Sequence, residues 1–274
     1  MIGSRVGIYA SQGGAFVGLL DTYSGASIAY SVRLLSSTYS GALVEIRRSS
    51  DSAVKDFYPD SNNELSLTSE DGSGTSLSTW IGSNDGFIRT WYDQSGNTNN
   101  ATQTTTSKQA KIVTSGSINT LNSKPCAAFD SNDAYSLTSV NIGCTASVVQ
   151  ALTSGTVNYL MWYQAGASGL YIYGGAIGNN VGVFDGGIKS AFANDTNQHL
   201  NYWNYNGTNY ELAQDGSSVT SLSSGSIIQV DTLGRDSTNF TINGNFQELV
   251  DWPTTQASNK AGIEANINNY FTIY

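Results

Sequence analysis

An all-β protein of the sandwich type is what this sequence predicts, on three observations. Short runs of aromatic and β-branched residues alternate with clusters of Gly, Ser, Asn and Asp, the punctuation of strands and turns. The runs recur at short spacing along the chain, as in a double sheet. Two dipeptides, Asn206-Gly207 and Asn243-Gly244, stand between such runs, where a type I′ hairpin turn needs φ > 0 at both central residues.

The elements follow in chain order. Residues 1–20, rich in Gly and apolar side chains, form an N-terminal segment that is either a docking arm or an ordinary edge strand and loop, and residues 21–274 make one β-sandwich domain. Residues 27–35 place Ile28, Val32 and Leu35 at helical spacing behind a Ser cap, so a short helix is expected there. Residues 43–48 and 87–92 alternate as strands do. In the second run Phe87, Arg89 and Trp91 are expected on one face and Ile88, Thr90 and Tyr92 on the other. Further strands are expected at 127–130, 147–151, 159–164, 170–173, 181–184 and 227–233. The two hairpins pair 203–205 with 208–212 and 240–242 with 245–250. Residues 258–270 set Ala261, Ile263, Ile267 and Tyr270 near one face and predict a second short peripheral helix.

Composition narrows the function. Apolar residues make up 39% of the chain and charged residues 12%, against about 25% charged in ordinary domains, so the surface is built from hydroxyls and amides. A net charge of −9 opposes phosphate backbones, and no nucleic-acid partner is expected. No apolar run approaches the roughly 18 residues a membrane span needs, and the first residues open no secretory apolar stretch, so neither membrane insertion nor export is expected. The 2 Cys, Cys126 and Cys144, cannot make a disulfide framework, and with the single His, His199, they cannot make a typical structural zinc site. The acidic residues near Glu70-Asp71 lack EF-hand spacing. No metal and no cofactor is expected. A Ser-His-Asp triad would need His199, and no G-x-S-x-G stands near a strand signal.

Three stretches carry a resemblance. The first is Ala29-Tyr30-Ser31-Val32-Arg33-Leu34-Leu35, continuing to Val44-Glu45-Ile46-Arg47-Arg48-Ser49-Ser50-Asp51. The second is Phe87-Ile88-Arg89-Thr90-Trp91-Tyr92-Asp93-Gln94-Ser95-Gly96-Asn97, with Asn100-Ala101-Thr102-Gln103. The third is Gly262-Ile263-Glu264-Ala265-Asn266-Ile267-Asn268-Asn269-Tyr270. The first two resemble the catalytic domain of B-type α-L-arabinofuranosidases, which has a concanavalin A-like jelly-roll fold. All three together resemble the related modules of tailed-phage structural proteins.

The resemblance implies a site that is half present. Leu233-Gly234-Arg235-Asp236-Ser237 is similar to the string that carries the family's acid/base Asp, which puts Asp236 at that position. Arg235 replaces one glycine there, and a guanidinium beside Asp236 would lower a pKa that a general acid needs raised. The family's nucleophilic Glu has no counterpart: between 141 and 210 the only carboxylates are Asp185 and Asp195. The family's adjacent cysteine pair is missing as well. A retaining glycosidase needs two carboxyl groups about 5–5.5 Å apart, so catalysis is not expected, with α-L-arabinofuranosidase activity as the alternative.

A carbohydrate-binding role remains, with Asp93, Gln94, Trp203, Tyr205 and Asp236 as candidate ligand contacts. Asp93 and Gln94 sit in a polar turn after a strand, where they either cap neighbouring amides in a sandwich corner or touch a sugar. The 16 Tyr and 5 Trp supply stacking surfaces, and Tyr202, Trp203, Tyr205 and Tyr210 gather around the Asn206-Gly207 turn, as core residues or as a platform. The phage resemblance implies a virion structural protein, a head decoration, head fibre or tail component, assembled in the host cytoplasm. Its expected partners are capsid or tail proteins and a weakly bound host-surface glycan, with oligomerisation in the particle. Thiols stay reduced in the cytosol, so Cys126 and Cys144 are expected free and buried.

Overall fold

The computed structural model describes residues 16–130, 132–151, 159–163, 168–173, 180–185, 187–193, 195–234 and 243–274. The side chains of 151–180 and of Ile188 lie outside that description. The strands of the first half are β1 (Ile28–Ser31), β2 (Val44–Arg48), β3 (Val54–Phe57), β4 (Gly86–Trp91), β5 (Ala101–Thr102), β6 (Lys111–Thr114), β7 (Ser117–Ile118), β8 (Thr120–Leu121), β9 (Lys124–Pro125) and β10 (Ala127–Phe129). Those of the second half are β11 (Ala134–Ile142), β12 (Cys144–Ala151), β13 (Tyr159–Tyr163), β14 (Ser168–Tyr173), β15 (Asn180–Asp185), β16 (Ile188–Ala193), β17 (Gln198–Tyr205), β18 (Asn209–Gln214), β19 (Thr220–Ser224), β20 (Ile228–Gly234) and β21 (Gly244–Trp252). Three short helices accompany them: α1 (Leu19–Thr22), α2 (Leu77–Ile81) and α3 (Lys260–Phe271).

All pairings among the described residues are antiparallel; β8 and β9 pair apart from the rest, and the other strands form two layers. One layer runs β19-β18-β17-β12-β21, then continues through β10, β6, β4, β2 and β3. The central strand β21 pairs β12 along one edge, while β10 and β1 share the other edge end to end. The second layer runs β11-β20-β13-β14-β15-β16. The two are joined where β5 bridges β4 and β11. One apolar cluster fills the space between, with Trp91, Phe129, Tyr135, Val183, Phe246 and Val230 among its buried members. At one open side Lys189 Nζ reaches from β16 to the Ser224 carbonyl of β19, tying the two layer edges.

Residues 28–31 are strand, not helix. All four are buried, and β1 pairs β21 from Ile28↔Asp251 to Ser31↔Glu248. A strand covered on both faces shows no alternation, so its apolar spacing imitated a helix. The covering layer on its outer side is polar. Arg33 makes a two-point pair with the fully buried Glu248, at 2.7 and 2.9 Å, and Ser31 Oγ donates to the same carboxylate. The guanidinium lies 4.8 Å from the centroid of Tyr270 on α3. Helix α3 matches the expected C-terminal helix. It buries Ile263, Ile267 and Phe271 and packs on β17 and α1.

The face assignment in β4 also differs. Thr90 pairs Glu45 and Ile88 pairs Ile46, which leaves Arg89 as an extra residue, a bulge. The bulge resets the side-chain phase, so Ile88 and Trp91 both point into the core, and Arg89 is released outward to bond Glu45. The Asn206-Gly207 hairpin forms between β17 and β18, with Gly207 at φ +96° but Asn206 outside the left-handed region. Asn206 holds the turn through its side chain instead, accepting from the amides of Thr208 and Asn209 at 3.0 and 2.9 Å. Gly244 is no turn residue. It opens β21 and pairs Phe129 and Ala151, while the expected first arm of that hairpin, 240–242, lies outside the described residues.

Of the N-terminal segment, residues 1–15 lie outside the described residues. Leu19 and Leu20 are buried, and the Leu20 amide donates to the Leu35 carbonyl, so the core takes in the end of that segment. Cys126 and Cys144 are free and buried, as expected.

Candidate functional site

The corner carrying Asp93 and Gln94 is closed. Asp93 is 4% exposed, and its carboxylate accepts from the amides of Ala29, Ser95 and Asn99 at 2.8, 2.9 and 3.0 Å and from Ser95 Oγ at 2.7 Å. Gln94 accepts from the Leu35 amide and donates to the Arg33 carbonyl, at 2.8 and 2.9 Å. Trp91 Nε1 donates to the Ser31 carbonyl. Together these groups replace the ladder that β1 lacks at its outer end, and the Trp-Tyr-Asp-Gln-Ser-Gly string acts as a staple between β1 and the end of β4. Gln94 borders a cleft of about 280 Å³ with Tyr39, Ser36 and Gly96, but both of its amide atoms are already engaged.

The aromatic hairpin is closed too. Trp203 is 2% exposed. Tyr205 is half-buried and donates to the Gly225 carbonyl, and its ring lies 5.6 Å from that of Tyr210. The void beside these rings holds only about 10 Å³, too little for a sugar ring. Tyr202 faces the helix side, with Lys260 5.6 Å from its ring. The side chains of Trp162, Tyr163, Tyr171 and Tyr173 lie outside the described residues.

An open polar groove of about 540 Å³ lies elsewhere, where β4, β6, β10 and β21 meet. Phe87 forms one wall, held by Arg47 at 4.6 Å and Lys111 at 5.4 Å from its centroid. Several of the polar residues on this side are already committed. Arg47 donates to Gln109 at 2.7 Å, Lys111 pairs Asp85 at 2.8 Å, and Asn119 bonds Thr114 and the Lys111 carbonyl. Asp130 and Asp133 line the groove as well. There the Asp130 amide donates to Asp133 Oδ2 at 2.7 Å, and the Asn132 amide donates to Asp130 Oδ1 at 2.7 Å. Asn243 and Asn245 complete the lining, and Asn245 donates to Gln150 at 2.9 Å.

Among the described residues, the second oxygens of Asp130 and Asp133, the Asn243 amide and Asn245 Oδ1 have no partner. Burial pushes the Asp133 carboxyl up to about 7, against the hydrogen bond from the Asp130 amide, which favours the anion. Near neutral pH this group both donates and accepts. Cys126 also borders the groove, and burial pushes its thiol up to about 12, so it is no nucleophile there.

Asp236 and Arg235 lie outside the described residues. The described residues that flank them stand at this groove. Asn243 lines it, and Gly234 pairs Ala134, immediately after Asp133. Gly234 takes φ +100°, and a Cβ there would come within 2.5 Å of the Asp133 carbonyl oxygen, so only glycine permits this approach. Asp133, Asn243, Asn245 and Phe87 were not among the residues expected from sequence. Their one local signal is the Asp130-Ser131-Asn132-Asp133 run at the end of a predicted strand.

A separate cluster surrounds the only histidine. His199 Nδ1 lies 2.6 Å from Asp215 and Nε2 2.9 Å from Asp195, and these carboxylates raise its pKa against the opposing effect of burial. Among the described residues no group of three or more His, Cys, Asp or Glu side chains could hold a metal ion. Nor is any helix there long and apolar enough to cross a membrane.

No protein-family model matches this chain, and no curated protein matches it. Solved structures do. A GH54 α-L-arabinofuranosidase soaked with a cyclic sulfate inhibitor superposes with a TM-score of 0.68 at 15% identity, over 88% of this chain and 62% of that one. An arabinofuranosidase complexed with arabinofuranosyl-α-1,2-xylobiose gives 0.64 at 17% identity, over the same shares of the two chains, 88% and 62%. The chain thus spans less than two thirds of the length of these structures. At such identities the likeness establishes the fold alone: an all-β jelly roll like that of these arabinofuranosidases.

Proposed function

We propose that the chain is a carbohydrate-binding jelly-roll module, and that it holds a glycan in the groove between Phe87 and the Asp130–Asp133 turn. One observation carries this reading: an open groove of about 540 Å³ lined by groups with no partner among the described residues, namely one oxygen each of Asp130 and Asp133, the Asn243 amide and Asn245 Oδ1. Sugars are bound by such convergent donors and acceptors beside an aromatic ring, and the likeness to arabinofuranosidases supports a pentose- or hexose-sized ligand. The setting is a virus particle, on the strength of the resemblance of 29–51, 87–103 and 262–270 to tailed-phage modules. Display of many copies would raise a weak single-site affinity to useful avidity.

The test is a glycan array probed with the multimerised protein, followed by titration of any hit against the monomer. Binding at millimolar sugar or tighter, weakened at least about five-fold in Asn245→Ala, is the expected result. Absence of binding at millimolar sugar overturns the reading.

A second reading, hydrolysis of an α-L-arabinofuranoside, is favoured by one observation. Asp133 stands beside Gly234, two residues before Asp236, so a buried carboxyl adjoins the strand that leads to the motif. Release of nitrophenol from 4-nitrophenyl α-L-arabinofuranoside that vanishes in Asp236→Asn would establish it. No release above background removes it.

A further inference from the structure

Within the groove, the two carboxyl-bearing residues differ in what they can offer a ligand. Asp130 is exposed and its Oδ1 caps the Asn132 amide. Asp133 is buried, lines the groove and accepts one hydrogen bond, from the Asp130 amide, while its other oxygen has no partner among the described residues. A buried carboxyl with a single donor is cheaper to keep as the acid than as the anion, and the acid carries an O–H that an ether or hydroxyl oxygen of a sugar can accept.

We infer that Asp133 is the residue through which this groove grips its ligand, its carboxyl O–H donating to a sugar oxygen, and that occupancy is lost when that proton leaves. The inference rests on the carbohydrate reading and deepens it, since it turns the groove into a pH-gated binding site. The charged and titratable groups around Asp133 are Asp130 on its own turn, Lys111 on β6 with its partner Asp85, and Arg47 on β2. Tyr135 on β11 donates to the Ile88 carbonyl and accepts from the Ala110 amide, and the Cys126 thiol precedes β10. Among the described residues, Asn243 just before β21 and Asn245 on it bring uncharged side chains to the groove, and Arg235 and Asp236 follow β20 in the sequence. The upward shift of Asp133 to about 7 agrees with this inventory, because burial opposes its ionisation more than the one hydrogen bond from the Asp130 amide favours it.

The test is isothermal titration of the whole chain with arabinofuranosyl-α-1,2-xylobiose, and with the best array hit, between pH 5 and pH 9. Wild-type affinity should be level below pH 6 and fall about ten-fold per unit above pH 7. Asp133→Asn, whose amide donates at every pH, should bind within about three-fold of the wild type at pH 5.5 and show no decline to pH 9. A wild-type profile that is flat with binding intact overturns the inference and leaves the carbohydrate reading standing. So does a profile flattened by Asp236→Asn and not by Asp133→Asn, which would assign the proton to Asp236. No binding of either probe at any pH overturns both. Should Asp133→Asn fail to fold, the wild-type profile, and its persistence in Asp236→Asn, still decide the matter.

Discussion

Asp93 and Asp133 are equally buried, each 4% exposed, yet the fold spends them differently. Asp93 receives four hydrogen bonds, three of them from backbone amides that have no other partner in a closed corner. Asp133 receives one and borders an open groove. A carboxylate surrounded by donors is a structural clip, because its charge is solvated by the chain itself. A carboxyl left with one donor is costly to ionise, and fold stability alone gives no reason to place it there. The recognisable motif has therefore settled on the clip, while the unpaired group sits where sequence offers only a turn.

The same substitution at the two sites separates these roles. Asp93→Asn puts an NH₂ against amide donors that had faced an acceptor, so at least one buried N–H loses its partner. About 3 kcal/mol of stability should go, read as a lower urea midpoint with an unchanged slope. A loss below about 1 kcal/mol would mean that the corner closes without Asp93.

Asp133→Asn should act in the other direction. The folded-state pKa is about 7, above the roughly 3.9 of the unfolded chain. Below pH 4 both states hold the proton and the stabilising contribution is whole. Between pH 4 and pH 7 the unfolded chain releases the proton while the fold keeps it, so wild-type stability falls through that window and levels off above it. The window has a ceiling of about 4 kcal/mol, which water entering from the groove reduces to about 2. Asn does not titrate, so the variant should match the wild type at pH 4 and exceed it by about 2 kcal/mol at pH 8. Urea midpoints at the two pH values measure this. An equal difference at both would show that Asp133 ionises normally.

Much of the fold was legible where runs of β-branched and aromatic residues are bounded by turn residues. The alternation at 43–48, the strand runs at 147–151 and 227–233, and the apolar stripe of α3 all correspond to elements of the fold. Legibility ended where a fully covered strand carries apolar residues at helical spacing or where the ladder changes phase. The residues of β1 are buried on all sides, so periodicity carried no information there. The bulge at Arg89 depends on the partner strand β2, which local sequence does not contain. The groove was illegible for a related reason. Phe87, Lys111, Asp133 and Asn245 come from four separate segments, and each looks ordinary in its own neighbourhood. Topology, and above all the split edge of β21, brings them together.

The smallest effect sharpens what the corner does. Gly96 follows the clip at φ +91°, and a Cβ there would meet nothing within 4 Å. Gly96→Ala therefore carries no steric collision, only the cost of holding a side-chain-bearing residue in the left-handed region, about 1 kcal/mol. If the Asp93 hydrogen bonds and not the turn backbone fix the corner, this variant should lose that amount and keep the groove's sugar binding and its pH profile unchanged. A loss above about 3 kcal/mol would show that the turn geometry at Gly96 sets the Asp93 bonds. Weakened sugar binding would show that corner and groove are one mechanical unit, which their separation across β1 and β10 on the edge of β21 argues against.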